Sequence, residues 1–235
     1  MARDIAVIAG VGPGLGWALA KRFARAGMQV VAAARDTTKL KALVDAEPQV
    51  DVRPHGCDVA KPADVERLFE AVARELGTPS LVIFNAGAYE RGGILEISPE
   101  TFERCWRIGC FGGFLVGQAA ARLMVPTGKG TIIFTGATAS LRGGAGFANL
   151  AVPKFGLRAL AQSMAREMGP QGIHVAHVII DGYIESERYH HLLAERGPDS
   201  LLSPDVIAEA YYQLHQQHRG AWTQELDLRP CTEKF

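Results

Sequence analysis

The chain has 235 residues, 48% of them hydrophobic, which is enough to bury the core of one domain. Its 25 basic and 25 acidic residues balance, which argues against nucleic acid or an acidic membrane surface as a partner. Every uncharged apolar stretch is shorter than the roughly 18 residues of a membrane span, and the N-terminus lacks a signal-peptide pattern. We therefore expect a single domain over residues 1–235, located in the cytoplasm.

The cysteines and histidines do not form a metal-binding pattern. Four cysteines are scattered without CxxC pairing, which favours reduced thiols and again a cytoplasmic location. The histidine pairs at 190–191 and at 215 and 218 have no carboxylate or cysteine at ligand spacing. We therefore predict no metal site.

Short β-rich runs alternate with longer amphipathic runs along the chain. Strands are predicted in residues 4–10, 28–35, 50–59, 79–87, 128–138 and 172–181. Helices are predicted in residues 14–27, 38–46, 62–77, 98–124 and 155–169, with Ser98 as the N-cap of the long one. The strands read as continuous Val/Ile/Ala runs, which indicates a parallel sheet with helices on both faces.

A glycine-rich loop joins the first predicted strand to the first helix. Gly10, Gly12, Gly14 and Gly16 lie in "AVIAGVGPGLGWALA". Glycines let the backbone approach a pyrophosphate closely, and the helix N-terminus beyond them offers free N–H groups to the phosphates. With a strand before it and a helix after it, this loop predicts a dinucleotide site.

The end of the second predicted strand bears on the choice between NAD and NADP. A carboxylate at this position would hold the ribose hydroxyls, but here Ala34 is followed by Arg35. An arginine without a carboxylate before it favours the 2′-phosphate of NADP(H) over NAD(H). Two alternatives stay open: Arg35 is a solvated side chain, or Asp36 contacts the ribose.

The segment 183–205 interrupts the alternation of strands and helices. It is polar and prone to form helix, and Gly182 and Pro204 flank it. A long excursion after a late strand is more often functional than disordered. We expect this segment to cover a small-molecule substrate.

Together these patterns resemble the short-chain dehydrogenase/reductase family over nearly the whole chain. Besides the glycine loop, the stretches that carry the resemblance are "CDV" at 57–59, "NAG" at 85–87, and residues 154–175, 202–214 and 221–228. The resemblance implies an α/β fold with a three-layer, Rossmann-type, doubly wound parallel sheet of seven strands, the last at 225–228. It also implies an oxidoreductase that binds a nicotinamide cofactor and acts on an alcohol or carbonyl substrate.

The resemblance assigns further residues to the cofactor site. Asp58 would accept a hydrogen bond from the adenine amino group, and the "NAG" residues would line the cofactor. The cofactor-binding residues it implies, besides the four glycines and Arg35, are Leu15, Asp58, Val59, Asn85, Ala86, Gly87, Lys154, Gly182 and Ile184. The exit of the sixth strand, "IIDG", departs from the Pro-Gly of the family, so Asp181 and Gly182 match only loosely.

Lys154 is the one charged residue in "FANLAVPKFGL". It falls where the family keeps the lysine of a Tyr-x-x-x-Lys pair, which implies a catalytic role. That lysine grips the nicotinamide ribose and lowers the pKa of the tyrosine that exchanges a proton with substrate. The alternative is a lysine that extends its charged end to solvent from the start of a helix.

Three other catalytic positions of the family are changed. The tyrosine, serine and asparagine positions are occupied by Leu150, Ala137 and Gly109. None of the three side chains can exchange a proton, and loss of a positioned acid costs about 10²–10⁴ in rate. Substitutes near these positions are Thr138, Ser140, Asn149, Tyr183 and Ser186.

Two functions are compatible with this pattern. The first is an NADP(H)-dependent oxidoreductase with a rearranged acid/base site, which we favour because the cofactor motifs are intact. The second is a nucleotide-binding protein without redox turnover, such as a sensor, a partner subunit or an inactive paralogue. The sequence does not name a substrate.

Self-association is also expected. The predicted helix 98–124 carries small residues at Gly109, Gly112, Gly113 and Ala120, and the family pairs this helix across a two-fold axis. We therefore expect a homodimer or homotetramer, although these glycines could instead pack on the sheet.

Overall fold

Seven parallel strands form one sheet in the computed structural model, which describes residues 3–233. The strands are β1 (Ile5–Ala9), β2 (Gln29–Ala34), β3 (Val52–Gly56), β4 (Leu81–Phe84), β5 (Gly130–Thr135), β6 (Ile173–Ile180) and β7 (Glu225–Leu228). Their order is β3-β2-β1-β4-β5-β6-β7, and every neighbouring pair is parallel. The predicted fold class and the seventh strand are confirmed.

Helices cover both faces of this sheet. They are α1 (Leu15–Arg25), α2 (Thr37–Ala46), α3 (Pro62–Glu75), α4 (Pro99–Trp106), α5 (Gly112–Met124), α6 (Ala148–Met168), α7 (His191–Arg196) and α8 (Pro204–His215). Adjacent strand residues enter opposite cores: Ile8 packs in the core with α1 and α8, whereas Val7 packs in the core with α3, α5 and α6. Because both faces are covered, the strands need apolar residues at every position.

The order of the strands reverses between β1 and β4. The chain therefore leaves β1 toward one side of the sheet and β4 toward the other, which opens a crevice beyond their carboxyl ends. The glycine loop follows β1 and the "NAG" stretch follows β4, so both lie at this crevice.

The predicted helix 98–124 differs from the structure in one respect. Ser98 caps it, because its side chain accepts a hydrogen bond from the Thr101 N–H, but residues 107–111 form a π-helical turn between α4 and α5. The joined run Pro99–Thr127 is long and apolar enough to cross a membrane by length and composition. Its apolar character has a local explanation, since Val116 and Ala120 are fully buried in the core against the sheet.

The small residues of this run pack inside the protein. A Cβ built on Gly113 would lie 2.3 Å from the Leu157 side chain, and one built on Gly112 would lie 3.0 Å from Val59. Ala120 has no exposed surface. These positions therefore serve internal packing and do not form the external face that the sequence analysis expected.

Helix α6 begins at Ala148, earlier than the predicted start at 155. An interior proline normally breaks a helix. In the structure Pro153 lies inside α6 and is buried. The extra turn places Leu150 and Lys154 on one helix, four residues apart.

Candidate cofactor and substrate site

The glycine loop after β1 is held against the end of β4. Gly10 has φ +94°, and a Cβ there would lie 2.4 Å from the Ala86 nitrogen, so no other residue fits without displacing the backbone. The Asn85 side chain donates to the Gly10 carbonyl at 3.0 Å. The first and fourth strands are thus joined at their carboxyl ends by the two motifs that the sequence analysis singled out.

Of the remaining loop glycines, Gly12 and Gly14 have open space beside them, whereas Gly16 is closely packed. A Cβ on Gly12 or Gly14 would meet nothing within 4 Å, whereas one on Gly16 would lie 2.8 Å from the Val11 Cα. Gly14 precedes α1 without a side-chain cap, so the first N–H groups of the helix are not covered by a side chain. The Leu15 side chain is buried in the core, so only its backbone can face a ligand. This open cradle fits the pyrophosphate of a dinucleotide.

A cavity of about 300 Å³ extends from this loop toward β2 and β3. Among the residues that line it are Gly10, Gly12, Ala34, Arg35, Asp36, Lys39, Asp58, Val59, Ala86 and Gly87. Of the sixteen residues that line it, eight were predicted or considered for the cofactor site from the sequence, counting Asp36 as the ribose alternative. Its shape and lining suit the adenosine half of a dinucleotide.

The charged side chains at the end of β2 have defined positions and partners. Asp36 is the N-cap of α2, and its Oδ1 accepts the N–H groups of Thr38 and Lys39, each at 3.1 Å. The hydrogen bond from the Lys39 N–H lowers the pKa of the Asp36 carboxyl. Arg35 is exposed and lines the cavity together with Lys39. The sequence did not indicate that Lys39 lines the cavity, because the Asp36 cap that begins α2 at this point is seen only in the folded chain.

Asp58 lies at the far side of the same cavity. Its Oδ1 accepts the N–H of Ala60 at 3.1 Å, and its own N–H donates to Asp64 at 3.0 Å. The carboxylate is therefore held at the cavity wall by its loop, and Oδ2 makes only a 4.0 Å ion pair with Lys61.

Lys154 is buried beneath the crevice. Only 6% of it is exposed, and its Nζ donates to the Thr135 carbonyl at 2.6 Å. Burial lowers its pKa to about 8. A Cβ on Gly87 would lie 3.9 Å from this Nζ, so the ammonium lies directly beside the "NAG" stretch. A lysine in solvent contact at a helix start is therefore the wrong interpretation, and the carbonyl at the end of β5 is its partner.

A second cavity of about 360 Å³ lies at the carboxyl ends of β5 and β6. Lys154 lines neither cavity, but Leu150, one turn before it on α6, lines the second. It is lined by Tyr89, Ala137, Thr138, Ala139, Arg142, Gly143, Gly144, Phe147, Leu150, Ile180, Gly182, Tyr183, Tyr189 and Glu233. Ala137 and Leu150 thus share one cavity, as the family resemblance implies for a catalytic serine and tyrosine. Gly182 lines this cavity, not the first, and Ile184 lines neither but pairs with Leu202.

Aromatic rings form much of the wall of this second cavity. Tyr89 and Phe147 stack with centroids 5.1 Å apart, and Tyr183 and Tyr189 lie 4.8 Å apart. Tyr183 and Tyr189 belong to the segment 183–205, which contains α7 and a short 3₁₀ turn. The cavity is suited to an apolar substrate with a ring or a chain that packs on aromatic faces.

Only some of the proposed substitutes for the missing acid line the second cavity. Thr138 and Tyr183 line the second cavity, whereas Ser140 and Asn149 have no exposed surface and Ser186 lies outside it. Asn149 is not an N-cap: its Nδ2 donates to the Glu90 carbonyl at 2.7 Å from within α6.

Thr138 is hydrogen-bonded to a buried carboxylate. Its Oγ1 donates to Asp181 Oδ1 at 2.6 Å, and Asp181 is 4% exposed. Asp181 also pairs with Arg229 at 3.3 Å. In the sequence, Asp181 matches the family motif only loosely. Its contact with Thr138 could not be predicted there, because the two positions are 43 residues apart.

The third changed position is explained by packing. A Cβ on Gly109 would lie 3.1 Å from the Pro153 ring. Gly109 lies in the π-helical turn and Pro153 in α6. A side chain at 109 would therefore require the proline ring to shift by a few tenths of an ångström.

A second polar network lies behind the cavity. His177 on β6 is fully buried, its Nε2 is 3.4 Å from the Ser140 hydroxyl, and its Nδ1 is 3.7 Å from Glu225. Glu225 is held by two 2.7 Å hydrogen bonds from Arg158. Burial lowers the pKa of His177 to about 4, so the ring is neutral at physiological pH. Ser140 in turn accepts the Ala137 N–H at 3.1 Å, which fixes the loop that lines the cavity.

Comparison with known proteins decides the family. The family model for short chain dehydrogenases matches residues 4–196. The chain belongs to the short-chain dehydrogenase/reductase family. Members of this family bind a nicotinamide cofactor, and the geometry of the first cavity fits that group.

Three relatives illustrate this membership. A crystal structure of a short-chain dehydrogenase from Rhodopseudomonas palustris is 39% identical, with a TM-score of 0.83 over 97% of this chain and 98% of that one. An alcohol dehydrogenase from the archaeon Thermococcus sibiricus, complexed with 5-hydroxy-NADP, is 25% identical, with a TM-score of 0.85 over 99% and 98%. The (21S)-21-acetoxyl-apo-melianone synthase of Melia azedarach is 33% identical over 173 residues, which span 73% of this chain and 64% of that protein.

Proposed function

We propose that this protein is an NADP(H)-dependent oxidoreductase of the short-chain dehydrogenase/reductase family with a rearranged acid/base site. The observation that carries the proposal is the cradle at the carboxyl ends of β1 and β4, together with the buried Lys154 beside it. Gly10, Asn85 and Ala86 interlock there, while Gly12 and Gly14 face open space.

The residues of the chain would hold the cofactor along one continuous crevice. The open glycines and the first turn of α1 would take the pyrophosphate, and Asp58 with Val59 would contact the adenine. Lys154 would donate to the nicotinamide ribose while it keeps its bond to the Thr135 carbonyl. When bound, the nicotinamide supplies the capacity to accept or donate a hydride.

The preference for NADP over NAD rests on the charges at the end of β2. Arg35 and Lys39 line the adenosine cavity, and both can face a 2′-phosphate. Asp36 Oδ1 accepts two backbone N–H groups, and its Oδ2 lies 3.7 Å from the Lys39 ammonium, so the preference rests chiefly on Arg35.

The substrate class follows from the second cavity. Aromatic walls and a volume of about 360 Å³ suit an apolar alcohol or carbonyl compound. Arg142 and Glu233 are the charged groups that line it, so a substrate with one polar end would also be accommodated.

The second candidate function is nucleotide binding without turnover. It is favoured by the replacement of three catalytic positions by Gly109, Ala137 and Leu150. Of the two candidates, the oxidoreductase better explains why a cavity of about 360 Å³ lies next to Ala137 and Leu150.

One experiment distinguishes the two functions. Binding of NADPH and NADH is measured by calorimetry, and then oxidation and reduction are assayed over a panel of secondary alcohols and their ketones. The proposal expects tighter binding of NADPH and turnover of at least one apolar pair. Tight binding with no turnover over the whole panel would instead support the nucleotide-binding function.

We also propose self-association and a cytoplasmic location. The outward side of α4 and α5 carries a row of stacked rings, Trp106, Phe111 and Phe114, and Phe155 on α6 is 43% exposed. An exposed aromatic surface of this kind suits an isologous contact with a second copy. All four cysteines are free thiols, in keeping with a reducing compartment. Light scattering on the wild type and on Phe155→Ser tests the association.

A further inference from the structure

Within the substrate cavity, one hydroxyl is coupled to a carboxylate that solvent hardly reaches. Thr138 is half-buried and lines the cavity next to Ala137, across from Leu150. Its Oγ1 donates to Asp181 Oδ1 at 2.6 Å, a short bond of the kind made to an ionised acceptor. Arg229 lies 3.3 Å from Asp181 Oδ2 and forms an ion pair with the carboxylate on the side away from Thr138 Oγ1.

We propose that Thr138 and Asp181 form a proton relay that replaces the missing tyrosine, with Thr138 as the catalytic residue and Asp181 as the residue that receives its proton. This inference rests on the proposed oxidoreductase function. The relay serves an alcohol/carbonyl pair with apolar substituents, and in the oxidation direction the carboxylate receives the proton.

The step balances with the oxidised nicotinamide as the only co-reactant. The substrate hydroxyl gives its proton to Thr138 Oγ1, while Thr138 passes its own proton to Asp181 Oδ1. The C–H bond of the carbinol carbon would break, and its electron pair would leave with the hydrogen as a hydride, for which an oxidised nicotinamide would be the acceptor. The products are a ketone, the reduced cofactor and a protonated Asp181, which returns its proton to solvent when the ketone leaves.

The other polar groups of the cavity lack this coupling. Tyr183 is 38% exposed, and its ring and that of Tyr189 contact each other, not a carboxylate. Tyr89 donates weakly to the Gly146 carbonyl at 3.4 Å. Glu233 lines the cavity from the chain end and is the strongest competitor, because a carboxylate can take a proton directly.

The test compares two substitutions at position 138. Thr138→Val keeps the shape of the side chain but removes the hydroxyl, whereas Thr138→Ser keeps the hydroxyl. With NADP⁺ and a panel containing 1-phenylethanol and 1-tetralol, we expect Thr138→Val to lose about 100-fold in kcat and Thr138→Ser to stay within about tenfold of wild type. Binding of NADPH should remain within about twofold in both, which shows that the fold and the cofactor site are intact.

A second pair of variants isolates the carboxylate. Asp181→Asn keeps a hydrogen-bond acceptor but takes up no proton, so it should match Thr138→Val and lose the solvent deuterium isotope effect on kcat. Asp227→Asn is the matched control, because Asp227 also pairs with Arg229 but makes no contact with Thr138. It should behave as wild type.

A readout without cofactor completes the test. In protein labelled with ¹³C at the aspartate carboxyl, the Asp181 signal is the one that Asp181→Asn removes. Addition of 1-phenylethanol should shift this signal in wild type and in Thr138→Ser but not in Thr138→Val, because Thr138 connects substrate to carboxylate.

The outcomes separate the relay from the function on which it rests. Wild-type turnover that Thr138→Val retains overturns the relay and leaves the oxidoreductase standing, and loss of turnover in Glu233→Gln alone assigns the proton to Glu233 instead. If wild type shows no turnover on the panel while NADPH still binds, the proposed function fails and the relay fails with it. Should Thr138→Val not fold, Asp181→Asn and the carboxyl signal decide the question.

Discussion

The two halves of the crevice are built on different principles. Around β1 and β4 the site is built mainly on backbone, with glycines, a helix end and the Gly10 carbonyl, to which Asn85 donates; charged side chains join it only at the ends of β2 and β3. Around β5 and β6 it consists of side chains, and there Ala137 and Leu150 stand where the family has proton-exchanging groups. A site made of backbone tolerates few substitutions, whereas one made of side chains can be rebuilt position by position.

The largest effect is expected where the backbone half is most tightly interlocked. Gly10→Ala places a Cβ at a positive φ and into Ala86, which should destabilise the protein by about 4 kcal/mol. Gly12→Ala is the matched control, since its Cβ meets no protein atom. It should fold normally but bind NADPH less tightly, because the methyl group takes the space that the pyrophosphate approaches. Urea unfolding and calorimetry measure both; equal stability of the two variants would contradict the interlock.

In the second cavity, restoration of the tyrosine and serine of the family should change the catalytic activity. Leu150→Tyr combined with Ala137→Ser places a phenol in the cavity opposite Thr138, where the Lys154 charge lowers its pKa. We expect native alcohol oxidation to fall about 100-fold, because a small misplacement of the reacting groups is enough for such a loss. Steady-state kinetics measure this, with NADPH binding as the control. A new reductase activity on simple ketones, without any native activity to lose, would favour the inactive-paralogue alternative.

Removal of a basic side chain at the end of β2 should have an effect of intermediate size on the affinity for NADP. Arg35→Ala should weaken NADP binding by about 1.5–3 kcal/mol, the range for a hydrogen bond to a charged group, and leave NAD almost unchanged. Lys39→Ala should act in the same direction. Lys41→Ala, on the same helix but outside the cavity, is the control. Equal losses for NADP and NAD, measured by calorimetry, would show that Arg35 has only a structural role.

The smallest effect is expected for the pH dependence of the free energy of unfolding, to which the buried, neutral His177 contributes. The unfolded chain takes up a proton at His177 as the pH falls below about 6.5, whereas burial delays this in the folded protein until about 4. Stability from this residue is therefore complete above pH 6.5 and declines as the pH falls toward 4, by about 2 kcal/mol between pH 7.5 and 5. His177→Gln should flatten the pH dependence of urea unfolding over this range. His191→Gln, exposed on α7, should not alter it.

The same contrast explains how much the sequence could predict. The strands, the glycine loop and the position of Lys154 follow from local patterns, because each depends on neighbours within a few residues. The cap at Asp36 that brings Lys39 to the cavity, and the contact of Thr138 with Asp181, depend on how distant segments pack. Tyr211 is another example: its hydroxyl meets Thr135 across 76 residues, and no local signal announces it. The start of α6 at Ala148 was predicted too late, at residue 155.

The contact of Gly109 with Pro153 couples two positions that are remote in the chain. A Cβ at position 109 would lie 3.1 Å from the Pro153 Cβ, so any side chain there requires the proline ring to shift by a few tenths of an ångström. The cost of Gly109→Asn should therefore be smaller in combination with Pro153→Ala than alone. A library that varies positions 109 and 153 together should return more folded variants than one that varies 109 alone.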